Sequence, residues 1–202
     1  LIEGYGLTET SPLTHANPVH RAKPGSIGIP LPDTEAKVVD SESGDDLPAG
    51  EAGELLIRGP QVMKAYWNRP EESAEALADG WFRTGDIAQM DTEGYFIIVD
   101  RKKDLINRAG FKIWPREVEE VIYKHPAVRL VGVVGQPDDY WGEVVKACIV
   151  LKEAHRDQVA ECDIAAFCKQ HLVGYKVPGI IEFRDELPLS ATGKMYRRLL
   201  KE

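Results

Sequence analysis

Short stretches in the first hundred residues alternate apolar with polar positions, a pattern typical of strands that bury one face. Four of them pair into two predicted hairpins around polar turns, 35–40 with 53–59 and 86–90 with 95–99. Between the hairpins, Pro70 and the glutamates after it predict the first turn of a short helix, which Gly80 ends. The first half is therefore expected to form a small β-rich, barrel-like subdomain.

The second half has a different pattern, in which brief apolar stretches alternate with segments of helical spacing. Pro115 stands at a first helical position, and Val118, Val121 and Ile122 then share one helix face. The pattern predicts strand, strand, helix, strand, strand, helix, strand and a tail helix, at 105–107, 111–113, 115–125, 128–135, 143–152, 157–172, 180–183 and 195–200. This order favours the α+β fold class, with domains at 1–100 and 101–202 and a boundary in the polar stretch 100–104.

Composition narrows the class of protein. The chain has 202 residues, of which 43% are hydrophobic and 29% charged, so it is expected to be globular and to bury a core. No apolar run reaches the ~18 residues of a membrane-spanning helix. Cys148, Cys162 and Cys168 form neither a paired framework nor a CxxC motif, which favours small buried side chains in a reducing, cytoplasmic compartment. The chain begins at Leu1 without signal-peptide features, so we expect preceding chain to pack on its opening residues.

Charge is distributed unevenly along a chain whose net charge is −8. Residues 1–100 carry 18 acidic and 7 basic side chains, whereas residues 101–202 carry 15 acidic and 18 basic ones. The basic residues concentrate in 101–116 and in the tail. Nucleic-acid binding needs a broad basic face, so we expect no nucleic-acid partner. Two alternatives stay open for the basic stretches, a compact polyanion such as a nucleotide or coenzyme A, and a solvated, ion-paired surface.

Three small polar clusters at predicted turns could carry chemistry. Residues 4–9 offer an aromatic ring, a hydroxyl, backbone N–H groups and a carboxylate, which suit a base, a phosphate and Mg²⁺, although Thr8 or Glu9 could instead cap a helix. Asp86 follows Thr84 and Gly85, where it could accept hydrogen bonds from ribose hydroxyls or form an Asx turn. Lys194 follows a glycine and is either a surface lysine or a mobile charge for a phosphoryl or carboxylate oxygen.

Other signals fail. The sequence lacks the third glycine of a dinucleotide fingerprint at its start and the full phosphate-binding loop near Lys194. Its five histidines show no metal-ligand spacing.

Together, the polar clusters resemble the C-terminal portion of the adenylate-forming superfamily: acyl- and aryl-CoA synthetases, nonribosomal adenylation domains and beetle luciferase. The matching segments occur in family order: YGLTE at 5–9, WFRTGD at 81–86, GY at 94–95 leading to DRKKD at 100–104, GFKI at 110–113 with PREVE at 115–119, and LPLSATGK at 187–194. The resemblance spans nearly the whole chain. It implies that residues 1–100 end a large adenylate-binding domain and that 101–202 form a mobile C-terminal domain.

The resemblance also implies a reaction and its residues. A carboxylate would attack ATP to give an acyl-adenylate and pyrophosphate, and the thiol of coenzyme A would then take the acyl group. Tyr5 would stack on adenine, Thr8 contact phosphate and Glu9 hold Mg²⁺, while Asp86 and Arg101 bind the ribose. The resemblance further assigns a charge-stabilising role to Lys194, a hinge to Lys103, the pantetheine passage to the Gly110 loop and a coenzyme A contact to Lys112.

The segments at 100–104 and 110–119 are more similar to fatty acyl-CoA synthetases than to amino-acid-activating domains, so we expect a medium- or long-chain fatty acid:CoA ligase. The upstream phosphate loop and the acyl-pocket segments of the family are not in this chain, so we expect the isolated chain to be inactive. The alternatives are a non-catalytic interaction module and an adenylation domain that loads a carrier protein.

Overall fold

The structure is a computed structural model that describes residues 2–156, 158–191 and 193–201. The chain consists of two compact units, Leu1–Lys103 and Asp104–Glu202. Helices and mainly antiparallel sheets occur together, so the α+β class predicted from the sequence is confirmed.

The first unit is built on a four-stranded antiparallel sheet. Its elements, in chain order, are β1 (Gly4–Tyr5), β2 (His15–Ala16), β3 (Ile29–Pro30), β4 (Glu35–Val39), β5 (Ala52–Arg58), α1 (Pro70–Ala76), β6 (Phe82–Met90) and β7 (Phe96–Arg101). Strands β4 to β7 pair in sequence order, and β1 to β3 form a separate small sheet. Both predicted hairpins are present, as β4–β5 and β6–β7.

The core of the first unit lies where the small sheet meets β7. Phe96 is 1% exposed and packs with Val38, Leu55, Ile57 and Ala88. The small sheet joins through two backbone bonds, from the Ile27 N–H to the Phe96 oxygen and from the Phe96 N–H to the Gly28 oxygen, each at 2.9 Å. Gly28 has a φ of +89°, and a Cβ there would lie 2.1 Å from the Ala16 backbone. Only glycine fits this position.

The second unit is a five-stranded sheet covered on both faces. Its elements are β8 (Ile106–Arg108), β9 (Phe111–Ile113), α2 (Pro115–Ile122), β10 (Val128–Asp138), β11 (Gly142–Leu151), α3 (Glu161–His171) and β12 (Ile180–Phe183). Strand β11 is central, pairing with β10 along its length, with β8 at Gly142 and with β12 in parallel.

Two hydrophobic clusters cover the two faces of this sheet. The larger one includes Val118 and Ile122 of α2 and Ile164 and Cys168 of α3. The smaller one includes Cys148 and Val150 of β11, whose side chains alternate with those of the larger cluster, and it packs against Leu187 and Leu200. The C-terminal tail is therefore part of the core of the second unit.

Three expectations are corrected by the structure. The first sheet is not closed into a barrel, because its first and last strands, β4 and β7, do not pair in the described residues and four strands are too few to close. The tail helix is reduced to one 3₁₀ turn, Arg197–Leu200, because Met195 pairs with Leu189 and the Tyr196 N–H bonds to Pro188. Cys162 is exposed, whereas Cys148 and Cys168 are buried.

The other predicted elements are present with shifted bounds. The helix expected at 157–172 begins only at Glu161, and Asp157 lies outside the described residues. Among the described residues, the longest helix has 11 residues, and none is long and apolar enough to cross a membrane.

Candidate functional site

A cavity of about 690 Å³ opens in the first unit. Its walls come from the start of the chain (Leu7, Glu9), from β5 (Glu54), from α1 (Glu72), and from β6 and the end of β7. The β6 wall holds Thr84, Gly85 and Asp86, and the β7 end holds Arg101, Lys102 and Lys103. The sequence-predicted residues Glu9, Asp86, Arg101 and Lys103 are thus brought together around one cavity.

The backbone of β6 is distorted where it presents Asp86. Gly85 has a φ of +69°, and the pairing register shifts on both sides, against β5 between Glu54 and Leu56 and against β7 after Ile87. Thr84 secures the distortion, since its hydroxyl donates to the Leu55 oxygen at 2.8 Å and accepts from the Asp86 N–H at 3.1 Å. Bulges of this kind re-aim side chains next to functional sites. Asp86 therefore lies in a distorted strand and does not form the Asx turn that was the alternative.

Asp86 is a buried carboxylate with two partners. The Tyr5 hydroxyl donates to Oδ2 at 2.5 Å, and Nε of Arg101, the cross-strand partner of Asp86, lies 3.6 Å from Oδ1. Asp86 is 7% exposed, and burial raises its pKa, which Tyr5 and Arg101 both lower. The pKa of Tyr5 is also raised, mainly by burial and then by the Asp86 charge. The site therefore holds a carboxylate whose ionised form depends on hydrogen-bond donors.

Tyr5 and Thr8 line no part of the cavity wall itself. The Tyr5 ring packs edge-on against His15, with centroids 6.0 Å apart. Thr8 is exposed in the 3₁₀ turn Thr8–Thr10, between the wall residues Leu7 and Glu9. The Glu9 Oε1 accepts a hydrogen bond from the Tyr66 hydroxyl at 3.0 Å.

A buried carboxylate with two partly exposed cationic partners forms a second part of the wall, and sequence reasoning missed it. Glu54 is 3% exposed, and its Oε2 accepts from Arg83 at 2.7 Å and from Lys102 at 3.0 Å. The available signal was a single charged residue inside the apolar stretch of β5. A buried charge is tolerated there because two cations compensate it.

Gly110 and Lys112 lie on the β8–β9 hairpin of the second unit. Gly110 has a φ of +87°, and its N–H bonds to Asn107 Oδ1 at 2.9 Å. Lys112 is exposed on β9. Aromatic and basic groups surround the turn: the exposed Phe111 stacks on Tyr175 with centroids 4.6 Å apart, and Arg108 lies 5.0 Å above the Trp141 ring. The turn could accept a ligand that has both a flat ring and negative charge.

Lys194 is an exposed residue of the second unit, and its own backbone is held by Ser190. Its N–H donates to Ser190 Oγ at 2.9 Å, and its carbonyl accepts from the Ser190 N–H at 2.8 Å. Leu189 and Met195 close the loop as an isolated β-bridge. Thr192, within the same predicted motif, lies outside the described residues. The described residues thus hold the backbone of Lys194 and leave its side chain exposed.

Two family models match this chain, one in each of its two units. Residues 1–67 match the family described as AMP-binding enzyme, and residues 117–194 match the AMP-binding enzyme C-terminal domain. This chain belongs to the AMP-binding enzyme family. The resemblance to the adenylate-forming superfamily is therefore confirmed.

Individual proteins are similar to the whole chain. It is 52% identical over 203 aligned residues to a long-chain-fatty-acid–CoA ligase of Bacillus subtilis, covering 100% of this chain and 36% of that protein. An ATP-bound RpMatB-BxBclM chimera superposes with a TM-score of 0.94 at 35% identity, covering 100% of this chain and 40% of the chimera.

A third similar protein was solved in complex with an acyl-adenylate intermediate. The o-succinylbenzoate CoA synthetase of B. subtilis, in complex with an acyl-adenylate, superposes with a TM-score of 0.87 at 36% identity, covering 100% of this chain and 41% of that one. The chain thus spans between a third and a half of the length of these three relatives.

Proposed function

We propose that this chain is the C-terminal portion of an ATP-dependent acyl-CoA synthetase acting on medium- or long-chain fatty acids. The observation that carries the proposal is the 52% identity, across the full chain, to a protein named a long-chain-fatty-acid–CoA ligase. The cavity with Asp86 and the ring-and-cation surface at Gly110 support it, because they suit a ribose and a coenzyme A respectively. Three free cysteines agree with a cytoplasmic location.

The first reaction step joins the fatty acid to AMP. A carboxylate oxygen forms a bond to the α-phosphorus of ATP, the bond to the bridging oxygen breaks, and pyrophosphate leaves with the electron pair. We assign ribose binding to Asp86 with Arg101, adenine stacking to Tyr5 and a phosphate contact to Thr8. The Lys194 ammonium group offsets the negative charge of the attacking carboxylate and the α-phosphate.

The second step transfers the acyl group to coenzyme A. The sulfur of coenzyme A, as its thiolate, attacks the acyl carbonyl and forms the thioester bond, while the bond from the acyl carbon to the phosphate oxygen breaks and AMP leaves with that electron pair. We assign the pantetheine passage to the Gly110 turn and a contact with coenzyme A to Lys112. Lys103, the last residue of the first unit, is proposed as the hinge for the change between the two steps.

Mg²⁺ bound to the nucleotide would neutralise phosphate charge. Among the described residues, no group of three or more His, Cys, Asp or Glu side chains could hold a metal by itself. Nucleotide-bound Mg²⁺ needs only one or two carboxylates, since phosphates and waters complete its shell. Glu9 fits this limited role, because its carboxylate lines the cavity and is held by Tyr66.

The hydroxyl of Tyr5 has a role that can be separated from its ring. Tyr5→Phe keeps the ring but removes a donor that favours the ionised form of Asp86, so the pKa of Asp86 rises further. Ribose hydroxyls donate to the carboxylate form, and AMP binding is therefore lost at a higher pH on the acid side than in wild type. At pH 8 the affinity changes by less than about fivefold.

Calorimetric titration of AMP against the full-length protein, in steps from about pH 5 to pH 8, measures this shift. Tyr95→Phe is the matched control, because Tyr95 is buried in the same unit and donates to the Arg21 oxygen instead. If AMP affinity fell over the same acidic pH range in the Tyr5 variant and in wild type, the hydroxyl would not affect the pKa of Asp86.

The proposed function is tested by incubating the full-length protein with ATP, Mg²⁺, coenzyme A and a panel of carboxylic acids. We expect AMP and acyl-CoA in equal amounts with saturated fatty acids of about 8 to 18 carbons, since each turnover releases one of each. No product is expected from amino acids or without ATP. Acylation of a carrier protein in place of coenzyme A would establish the carrier-loading alternative, and the absence of nucleotide binding would establish the non-catalytic one.

A further inference from the structure

Arg197, Asp104 and Glu119 form an ion cluster that holds the C-terminal tail of the second unit. Neither step of the proposed reaction uses this cluster. Arg197 donates from Nη1 to Asp104 Oδ2 at 3.1 Å, and from Nη2 to Glu119 Oε1 at 2.9 Å and Oε2 at 2.7 Å. The Arg197 side chain is 21% exposed, Asp104 19% and Glu119 11%. Charge-assisted bonds at such low exposure define a geometry, because displacing one member leaves the others desolvated and unpaired.

One of the two carboxylates, that of Glu119, is itself fixed in the fold. Glu119 lies on α2, and its Oε1 also accepts the Val133 N–H of β10 at 2.9 Å. Asp104 is the first residue of the second unit. The Arg197 guanidinium group therefore ties the tail to the beginning of the unit and to its first helix.

Only two residues separate Arg197 from Lys194, and the backbone between them is held. Met195 forms the β-bridge with Leu189, and the Tyr196 N–H donates to the Pro188 oxygen at 2.9 Å. Ser190 bonds to both the N–H and the carbonyl of Lys194. A short, hydrogen-bonded path thus joins the guanidinium group to the Cα of Lys194.

We propose that Arg197 is a positioning residue for Lys194 in acyl-adenylate formation, an inference that rests on the proposed function. Met195 and Leu200 already attach the tail to the sheet by apolar contact, which has no direction. The planar guanidinium group of Arg197 makes directional hydrogen bonds, which fix the orientation of the tail as apolar contacts do not. A displacement of about 1 Å at a reacting group can cost about a hundredfold in rate.

The test compares the two half-reactions in the full-length protein. Arg197→Met and Arg197→Lys are measured for pyrophosphate release from ATP and fatty acid, and for thioester formation from supplied acyl-adenylate and coenzyme A. Arg198→Met is the matched control, because it removes the same charge from the neighbouring, exposed position. We expect Arg197→Met to slow the first half-reaction at least about tenfold while the second stays within about twofold of wild type.

The ratio of the two half-reactions decides the outcome, because partial unfolding lowers both equally. An equal loss in both half-reactions, or no loss in either, overturns the positioning role and leaves the proposed function intact. If circular dichroism shows that Arg197→Met does not fold, Arg197→Lys is judged by the same ratio, since it keeps the charge but not the fork. Absence of acyl-adenylate formation in the wild-type protein is a different result, which rejects the proposed function itself.

Discussion

Replacing Lys194 with alanine is expected to slow acyl-adenylate formation in the full-length protein by about 10²- to 10³-fold, the usual effect of removing one group that stabilises transition-state charge. Both bonds from Ser190 go to the backbone of Lys194, so the variant loses the ammonium group and keeps these bonds. The thioester step is assigned to the Gly110 turn and Lys112 after the proposed change at Lys103, so it does not depend on Lys194. We therefore expect thioester formation from supplied acyl-adenylate to stay within about threefold of wild type.

Pyrophosphate release measures the first step, and thioester yield from synthetic acyl-adenylate measures the second. Lys201→Ala is the matched control, because Lys201 is an exposed lysine of the same tail outside the loop. A Lys194 variant that releases pyrophosphate as fast as the Lys201 variant would remove Lys194 from the mechanism.

Local patterns were sufficient to predict most of the regular elements. The α2 helix begins at the predicted proline because a missing N–H costs nothing in a first turn, and Val118 and Ile122 are both 0% exposed as their spacing requires. The hairpins follow from alternating polarity around polar turns. These elements are determined by neighbours along the chain.

The errors concern contacts that are distant in sequence. Strands β1, β2 and β3 have only two residues each, too few to show any period, and they exist because His15 pairs with both Tyr5 and Pro30. The tail carried helical spacing, but its bridge to Leu189 takes up Met195 before a helix can begin. Tertiary pairing overrides local preference in both cases.

In the candidate site, too, residues marked by local sequence were predicted and those that depend on distant contacts were not. Asp86 and Lys194 are predicted because the sequence puts both at expected turns, directly after glycines, where side chains are not consumed by packing. Glu54 was missed, since its compensating partners Arg83 and Lys102 are 29 and 48 positions away in the sequence. The dependence of Asp86 on Tyr5, across 81 positions, was also visible only in the fold.

Asp86→Ala is expected to weaken AMP binding to the full-length protein by at least about a hundredfold. Two ribose hydroxyls donating to a carboxylate make two hydrogen bonds to a charged group, each worth about 1.5–3 kcal/mol. Asp86→Asn keeps one acceptor oxygen but loses the charge, so its loss of affinity is expected to be intermediate. Titration calorimetry with AMP measures both, and thermal unfolding monitors the lost bond from Tyr5.

Asp45→Ala is the control for this comparison, because Asp45 is an exposed acid of the same unit, in the turn between β4 and β5. The pH dependence separates ribose binding from general charge. Burial raises the pKa of Asp86, so wild-type affinity must fall as the pH is lowered through that raised value, while the Asn variant, which has no carboxylate to protonate, loses this acid limb. If Asp86→Ala bound AMP as tightly as Asp45→Ala, the cavity carboxylate would serve only the hydrogen bonds to Tyr5 and Arg101, and the nucleotide would have to be bound through other groups.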